Sequence, residues 1–176
     1  PAGNTQKIGY SPDGQYLIVT HATSPYITIY KRSGDSYTKL PDPSVLPAGN
    51  GRDVAWTSDG QYVSIAHQTA PYITIYKRSG DTFTNLTLEA PTGASLGYGT
   101  AWSPDGQYLS LGHGGAPYVT IYKRSGDTFT KLPSLASQAP GNPTVEWSPD
   151  GQHFVAAGGT SGTPAIYKQT GDDFTR

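Results

Sequence analysis

Three histidines recur in step along this chain, at His21, His67 and His113. Neutral imidazole is the commonest side-chain metal ligand, so three of them meeting at one point would form a zinc-type ligand set. Here each comes once per copy of a repeated unit, which spaces them apart. A His in that pattern is expected to bond a loop carbonyl or pack on the Pro-Tyr that follows it. No metal and no other cofactor is therefore expected. Pro25-Tyr26, Pro71-Tyr72 and Pro117-Tyr118 follow each His four residues on. Tyr combines an apolar face with a polar tip, so Tyr26, Tyr72 and Tyr118 are candidate platforms for a sugar or peptide, with packing between units as the competing role. The fourth copy has Gly158-Gly159 and Pro164-Ala165 at these places, which breaks both rings. These six residues are the candidate binding residues.

Other repeated charges point less clearly to chemistry. Lys31-Arg32, Lys77-Arg78 and Lys123-Arg124 form a basic pair per copy, but Asp35, Asp81 and Asp127 stand three residues after each Arg. Local neutralisation is expected, and the formal net charge of −1 gives no field for nucleic acid. One carboxylate per Asp-Gly turn is too few oxygens for calcium. The nucleophile elbow, the phosphate loop and the HExxH helix are all missing. Glu146, one of only two Glu in the chain, replaces Ala55 and Ala101 beside the aromatic of its copy; a lone carboxylate makes no active site.

The elements that must position these residues follow from the repeat. Asp13-Gly14, Asp59-Gly60, Asp105-Gly106 and Asp150-Gly151 lie 46, 46 and 45 residues apart. A fixed period of this size marks a repeat architecture. Each copy reads as four short strands. Strand a runs to the aromatic (residues 7–11, 53–57, 100–103, 144–148), and the Asp-Gly turn leads to strand b (16–21, 62–67, 108–113, 153–157). Strand c (26–32, 72–78, 118–124, 165–169) alternates, with Tyr26, Thr28 and Tyr30 on one face and Ile27 and Ile29 on the other. Ser-Gly-Asp or Thr-Gly-Asp turns the chain into a short strand d (37–40, 83–86, 129–132, 174–176). Four antiparallel strands per copy make the blade of an all-β propeller, with blades at about 5–40, 51–86, 98–132 and 143–176.

Trp56, Trp102 and Trp147 with the four Asp-Gly turns resemble the WD-repeat and related Ser-Pro-Asp-Gly propeller families over essentially the whole chain. Strand c ends in Ile-Tyr-Lys rather than Trp-Asp, and no Gly-His pair precedes strand a, so the hydrogen-bond tetrad of WD blades is not carried over. The style also resembles repetitive propellers of bacteriophage virions.

A blade needs a neighbour on each side. Two expectations follow: further blades from a longer array, since both ends look cut from repeats, or a homodimer closing an eight-bladed ring. Composition adds that only 14% of residues are charged, with 22 Gly, 15 Pro and no Cys. This favours an extracellular or virion surface, and no apolar run is long enough to span a membrane. The d–a connections (41–52, 87–99, 133–143) differ between copies and share one face with the b–c loops, so a partner is expected there. The function expected from sequence is a non-enzymatic scaffold or interaction module binding a protein. A carbohydrate-binding propeller is the alternative.

Overall fold

A computed structural model of the chain describes residues 3–135, 139–159 and 163–176. Pro1-Ala2, residues 136–138 of the third variable connection and residues 160–162 of the last b–c loop lie outside the described residues. The first blade contains β1 (Thr5–Tyr10), β2 (Tyr16–His21), β3 (Ile27–Ser33) and β4 (Ser36–Lys39). The second contains β5 (Gly51–Trp56), β6 (Tyr62–His67), β7 (Ile73–Ser79) and β8 (Thr82–Leu86). The third contains β9 (Gly97–Trp102), β10 (Tyr108–His113), β11 (Val119–Ser125) and β12 (Thr128–Lys131). The fourth contains β13 (Pro143–Trp147), β14 (His153–Gly158), β15 (Ala165–Thr170) and β16 (Asp173–Thr175). Each blade is one antiparallel sheet in sequence order, and the four together form part of a β-propeller.

The a–b turn is held by its own side chains. Ser11 Oγ donates to Asp13 Oδ1 at 2.5 Å, and the same oxygen accepts from Gln15 N at 3.0 Å. Thr57, Ser103 and Ser148 repeat the contact with Asp59, Asp105 and Asp150. A short Asx turn of this kind leaves the following Gly in the left-handed region, with Gly14 at φ 67°.

Strand c begins one residue later than the alternation implies. Tyr26, Tyr72 and Tyr118 stand before the strand with φ of 66°, 70° and 70°. Their carbonyls accept from His21, His67 and His113 N at 2.8–2.9 Å, closing the b–c loop. Both faces of strand c are covered: Ile27, Thr28 and Ile29 are all buried, because each sheet is sandwiched between two others.

The inner strands pack in order, β1 on β5, β5 on β9 and β9 on β13. Three apolar clusters fill the seams. The middle seam joins Tyr62, Ile73 and Ile75 to Trp102, Leu109 and Phe129. Burial of such side chains contributes about 1.5–3 kcal/mol each, so the seams hold the assembly together. No comparable packing returns β13 to β1 among the described residues, and the arc is open.

The Asp of the c–d turn in blades two to four does not take its own Arg as its main partner. Asp81 accepts from Tyr16 Oη at 2.6 Å and from Lys31 Nζ at 2.8 Å, both in the preceding blade. Asp127 and Asp172 do the same with Tyr62 and Lys77, and with Tyr108 and Lys123. The expected local pairing is thus replaced by a bridge across the seam. The reason is geometric: the c–d hairpin projects each Asp over the edge of the neighbouring sheet.

Candidate active site at the inner-strand bulges

The six residues singled out by spacing do not converge. His21, His67 and His113 are fully buried, one per blade. Their Nε2 atoms bond Thr28, Thr74 and Thr120 Oγ1 at 3.1, 2.9 and 2.9 Å. Burial lowers the imidazole of His67 to about 4 and pushes that of His113 down as well. They are clamps that tie the end of strand b to strand c. Among the described residues no three His, Asp or Glu side chains gather as a metal cage. Tyr26, Tyr72 and Tyr118 are half-buried beside those clamps.

What the b–c loop does position is the next inner strand. A Cβ at Gly51 would stand 2.8 Å from the Tyr26 carbonyl oxygen, and one at Gly97 would collide with the Tyr72 carbonyl oxygen. Only Gly fits under the loop at these two points. Immediately after each Gly the inner strand bulges. Gly51 pairs with His67 and Asp53 with Ala66, so Arg52 is the extra residue. Thr5 and Lys7 skip Gln6 in the same way, and Gly97 and Gly99 skip Tyr98. A bulge bends the strand and re-aims one side chain, and such bulges are frequent beside active sites.

The bulges bring together residues with reactive chemistry. Arg52 Cζ lies 5.7 Å from the centre of the Tyr98 ring, a cation–π contact between blades two and three. With the Gln68 amide oxygen turned towards it, Arg52 Nε donates at 2.8 Å. Next along β5, Asp53 Oδ1 accepts from Val54 N at 2.9 Å and Oδ2 from Thr100 N on β9 at 3.0 Å. Lys7 Nζ from β1 stands 4.0 Å from Asp53 Oδ1. The Asp53 side chain is 17% exposed, and burial raises its pKa from the ordinary 3.8 despite the backbone donors. Arg52 with Tyr98, and Lys7 with a partly desolvated Asp53, thus form two contacts between neighbouring inner strands. A carboxylate offers about four lone-pair sites, so Asp53 keeps capacity to accept a proton from water.

No motif or spacing in the sequence marks out Arg52, Asp53, Lys7 and Tyr98. Their signal is a repeat position where residue type changes from copy to copy: Gln6, Arg52 and Tyr98 in one column, Lys7, Asp53 and Gly99 in the next. Glu146 lies on β13 and is exposed toward the open side of the fourth blade.

The model of the family described as lactonase, 7-bladed beta-propeller, matches residues 3–94, just over half of the chain. The chain belongs to that family. Solved structures agree on the fold. A protein from Bacteroides uniformis described as a 6-phosphogluconolactonase superposes with a TM-score of 0.81 at 17% identity, over 96% of this chain and 51% of that one. One of the same description from Bacteroides fragilis gives 0.78 at 18%, over 98% of this chain and 53% of its own. A Lactobacillus plantarum protein gives 0.80 at 18%, again over 98% and 53%. The chain therefore spans about half the length of these structures. No curated protein matches it.

Membership of the lactonase family corrects three expectations. The propeller is not of the WD-repeat or phage-virion type. The non-enzymatic scaffold, with its carbohydrate-binding alternative, is overturned by a match to a family named for an enzyme. The expectation of no enzymatic activity falls with it. The family match carries no linear motif in this chain: Arg52, Asp53, Lys7 and Tyr98 lie at bulged inner strands of three different blades. No helix in the described residues is long and apolar enough to cross a membrane.

Proposed function

We propose that this chain hydrolyses a lactone at the entrance of its inner strands. The observation that carries the reading is the bulge pair Arg52 and Tyr98 beside Asp53 and Lys7, in a chain of the lactonase family. In this reading Asp53 takes a proton from water as the new C–O bond forms at the lactone carbonyl carbon. Arg52 or Lys7 stabilises the oxyanion, and the ring C–O bond then breaks. The ring oxygen leaves as an alkoxide and takes up the proton held by Asp53, giving a hydroxy acid. A raised carboxyl pKa suits a general base working near neutral pH. Two cations against one carboxylate favour a polyhydroxylated lactone with an anionic substituent, which is the chemistry named for the two Bacteroides structures.

The test is acid release in a pH-stat from gluconolactone and its 6-phosphate, measured above spontaneous hydrolysis. Asp53→Asn is expected to lower the enzymatic rate roughly 10²–10⁴-fold. Arg52→Gln should lower it as well, with a larger loss on the phosphorylated lactone if Arg52 also meets the phosphate. A wild-type rate equal to buffer, or full activity in Asp53→Asn, rejects the proposal.

A further inference from the structure

Arg78 shows how this fold holds a guanidinium. Its Cζ lies 4.7 Å from the centre of the Tyr16 ring, and its Nε donates to the Gly60 carbonyl oxygen at 2.8 Å. A carboxylate completes the set, with Asp13 Oδ2 3.1 Å from Arg78 Nη2. Arg52 repeats the first two contacts with other partners. The centre of the Tyr98 ring lies 5.7 Å from its Cζ, and the Gln68 amide oxygen accepts from Nε at 2.8 Å and also from Nη2. The third contact differs. Among the described residues, no carboxylate forms an ion pair with Arg52.

The pair is peculiar to blade two. One repeat back, Gln6 and Ala22 stand at the places of Arg52 and Gln68; one repeat on, Tyr98 and Gly114 do. The Gln68 backbone is fixed, since its N donates to the Asn50 carbonyl oxygen at 3.1 Å, two residues before Arg52. Arg52, Gln68 and Tyr98 are all half-buried, so a solute can reach them. An amide oxygen orients a guanidinium and leaves its charge intact, whereas a carboxylate would cancel it. Gln68 takes the edge formed by Nε and Nη2. Of the five N–H donors of a guanidinium, both on Nη1 and one on Nη2 remain, and these form the end-on fork that matches two oxygens of an anion.

We propose that Arg52 is the receptor for an oxyanion of the ligand, a carboxylate or a phosphate held through two oxygens, and that Gln68 and Tyr98 are positioning residues that aim its fork. The ligand oxyanion makes with Arg52 the contact that Asp13 makes with Arg78. For the molecule that carries the anion, the inference rests on the lactone reading above: the anion is a substituent of the lactone. The two inner-strand contacts then divide the work. Arg52 holds the substituent, and Lys7, beside Asp53, is left for the oxyanion that develops at the carbonyl.

Isothermal titration calorimetry with gluconate, glucose 6-phosphate and glucose tests this. The three are polyols that carry a carboxylate, a phosphate and no charge. At least one of the two anions should bind about tenfold or more tightly than glucose, and the one that does identifies the oxyanion. Arg52→Lys keeps the charge and loses the fork, so it should weaken that binding about tenfold or more. Gln68→Glu keeps an acceptor but cancels the charge, and should weaken it by a similar factor. Gln68→Ala removes the contact and leaves the charge, and should weaken it less. A merely structural role for Gln68 predicts the reverse order. Circular dichroism should report the wild-type fold for all three variants, because both side chains are half-buried. Anions that bind no better than glucose, or anion binding indifferent to Arg52→Lys, overturn the proposal, and the reverse order at Gln68 overturns its positioning role. The lactone assay on the same samples separates the two readings. Anion binding without hydrolysis rejects only the activity, and hydrolysis without anion binding rejects only the receptor.

Discussion

Tyr62 Oη donates to Asp127 Oδ1 at 2.5 Å across 65 sequence positions, while Lys77 Nζ donates to the other carboxylate oxygen at 2.7 Å. The hydrogen bond from Lys77, then that from Tyr62, holds the Asp127 carboxyl below its ordinary 3.8. A carboxyl depressed on folding adds stability that is present above pH 3.8 and lost as pH falls through the lower folded value. Asp81 and Asp172 are depressed by the same kind of partners, so the seams weaken together in acid. Asp127→Asn should flatten the acid limb of an unfolding-midpoint curve, and Tyr62→Phe should cost about 1 kcal/mol at neutral pH in urea unfolding.

His67 gives a second pH dependence, at higher pH. Burial lowers its pKa from 6.5 to about 4, so the unfolded chain binds the proton more readily than the folded one. Stability should be full above pH 6.5 and fall by up to about 1.4 kcal/mol per pH unit down to pH 4. His67→Gln keeps a side chain able to meet Thr74 and has no such titration. The difference between the two urea curves at pH 7 and pH 4.5 reads the effect.

Gly97 sits under the b–c loop of the preceding blade. A Cβ there would press on the Tyr72 and His67 carbonyl oxygens, both backbone atoms that cannot swing aside. Gly97→Ala should destabilise by about 1–3 kcal/mol in thermal or urea unfolding. Because Tyr98 follows directly, the same substitution should also lower lactone hydrolysis by displacing the bulge.

Phe154 is the aromatic anchor of the fourth blade. It is fully buried, and its ring stacks on Tyr167 with centroids 4.7 Å apart and planes 9° apart. Trp147 and Phe174 close around it at 5.5 and 5.6 Å. Phe154→Ala should cost about 3–5 kcal/mol, and Phe154→Leu, which matches Leu109 of blade three, considerably less.

The proposed base makes its own prediction for the rate profile. Asp53 must be ionised to accept a proton, and burial sets its pKa above the ordinary 3.8. Hydrolysis should therefore rise with pH through a limb lying above pH 3.8. Asp53→Asn should remove that limb along with most of the rate.

The propeller was legible in the residues because its determinants are local. The Asp-Gly turns with their Ser or Thr partners close within five residues, the strands alternate with a period of two, and the 46-residue step repeats both. Whatever joins one copy to the next was not legible. Asp81 stands three residues from Arg78 in sequence, yet the hairpin carries it to Tyr16 and Lys31 of another sheet. His67 repeats like a ligand, yet each of the first three blades buries its own His against its own Thr. Arg52 and Asp53 look like unremarkable strand residues until a bulge re-aims one and the seam desolvates the other. Local turn chemistry and periodicity are determined by neighbours in the chain. The contacts of Arg52 and Asp53 depend on where neighbouring sheets meet, and only the tertiary structure decides that.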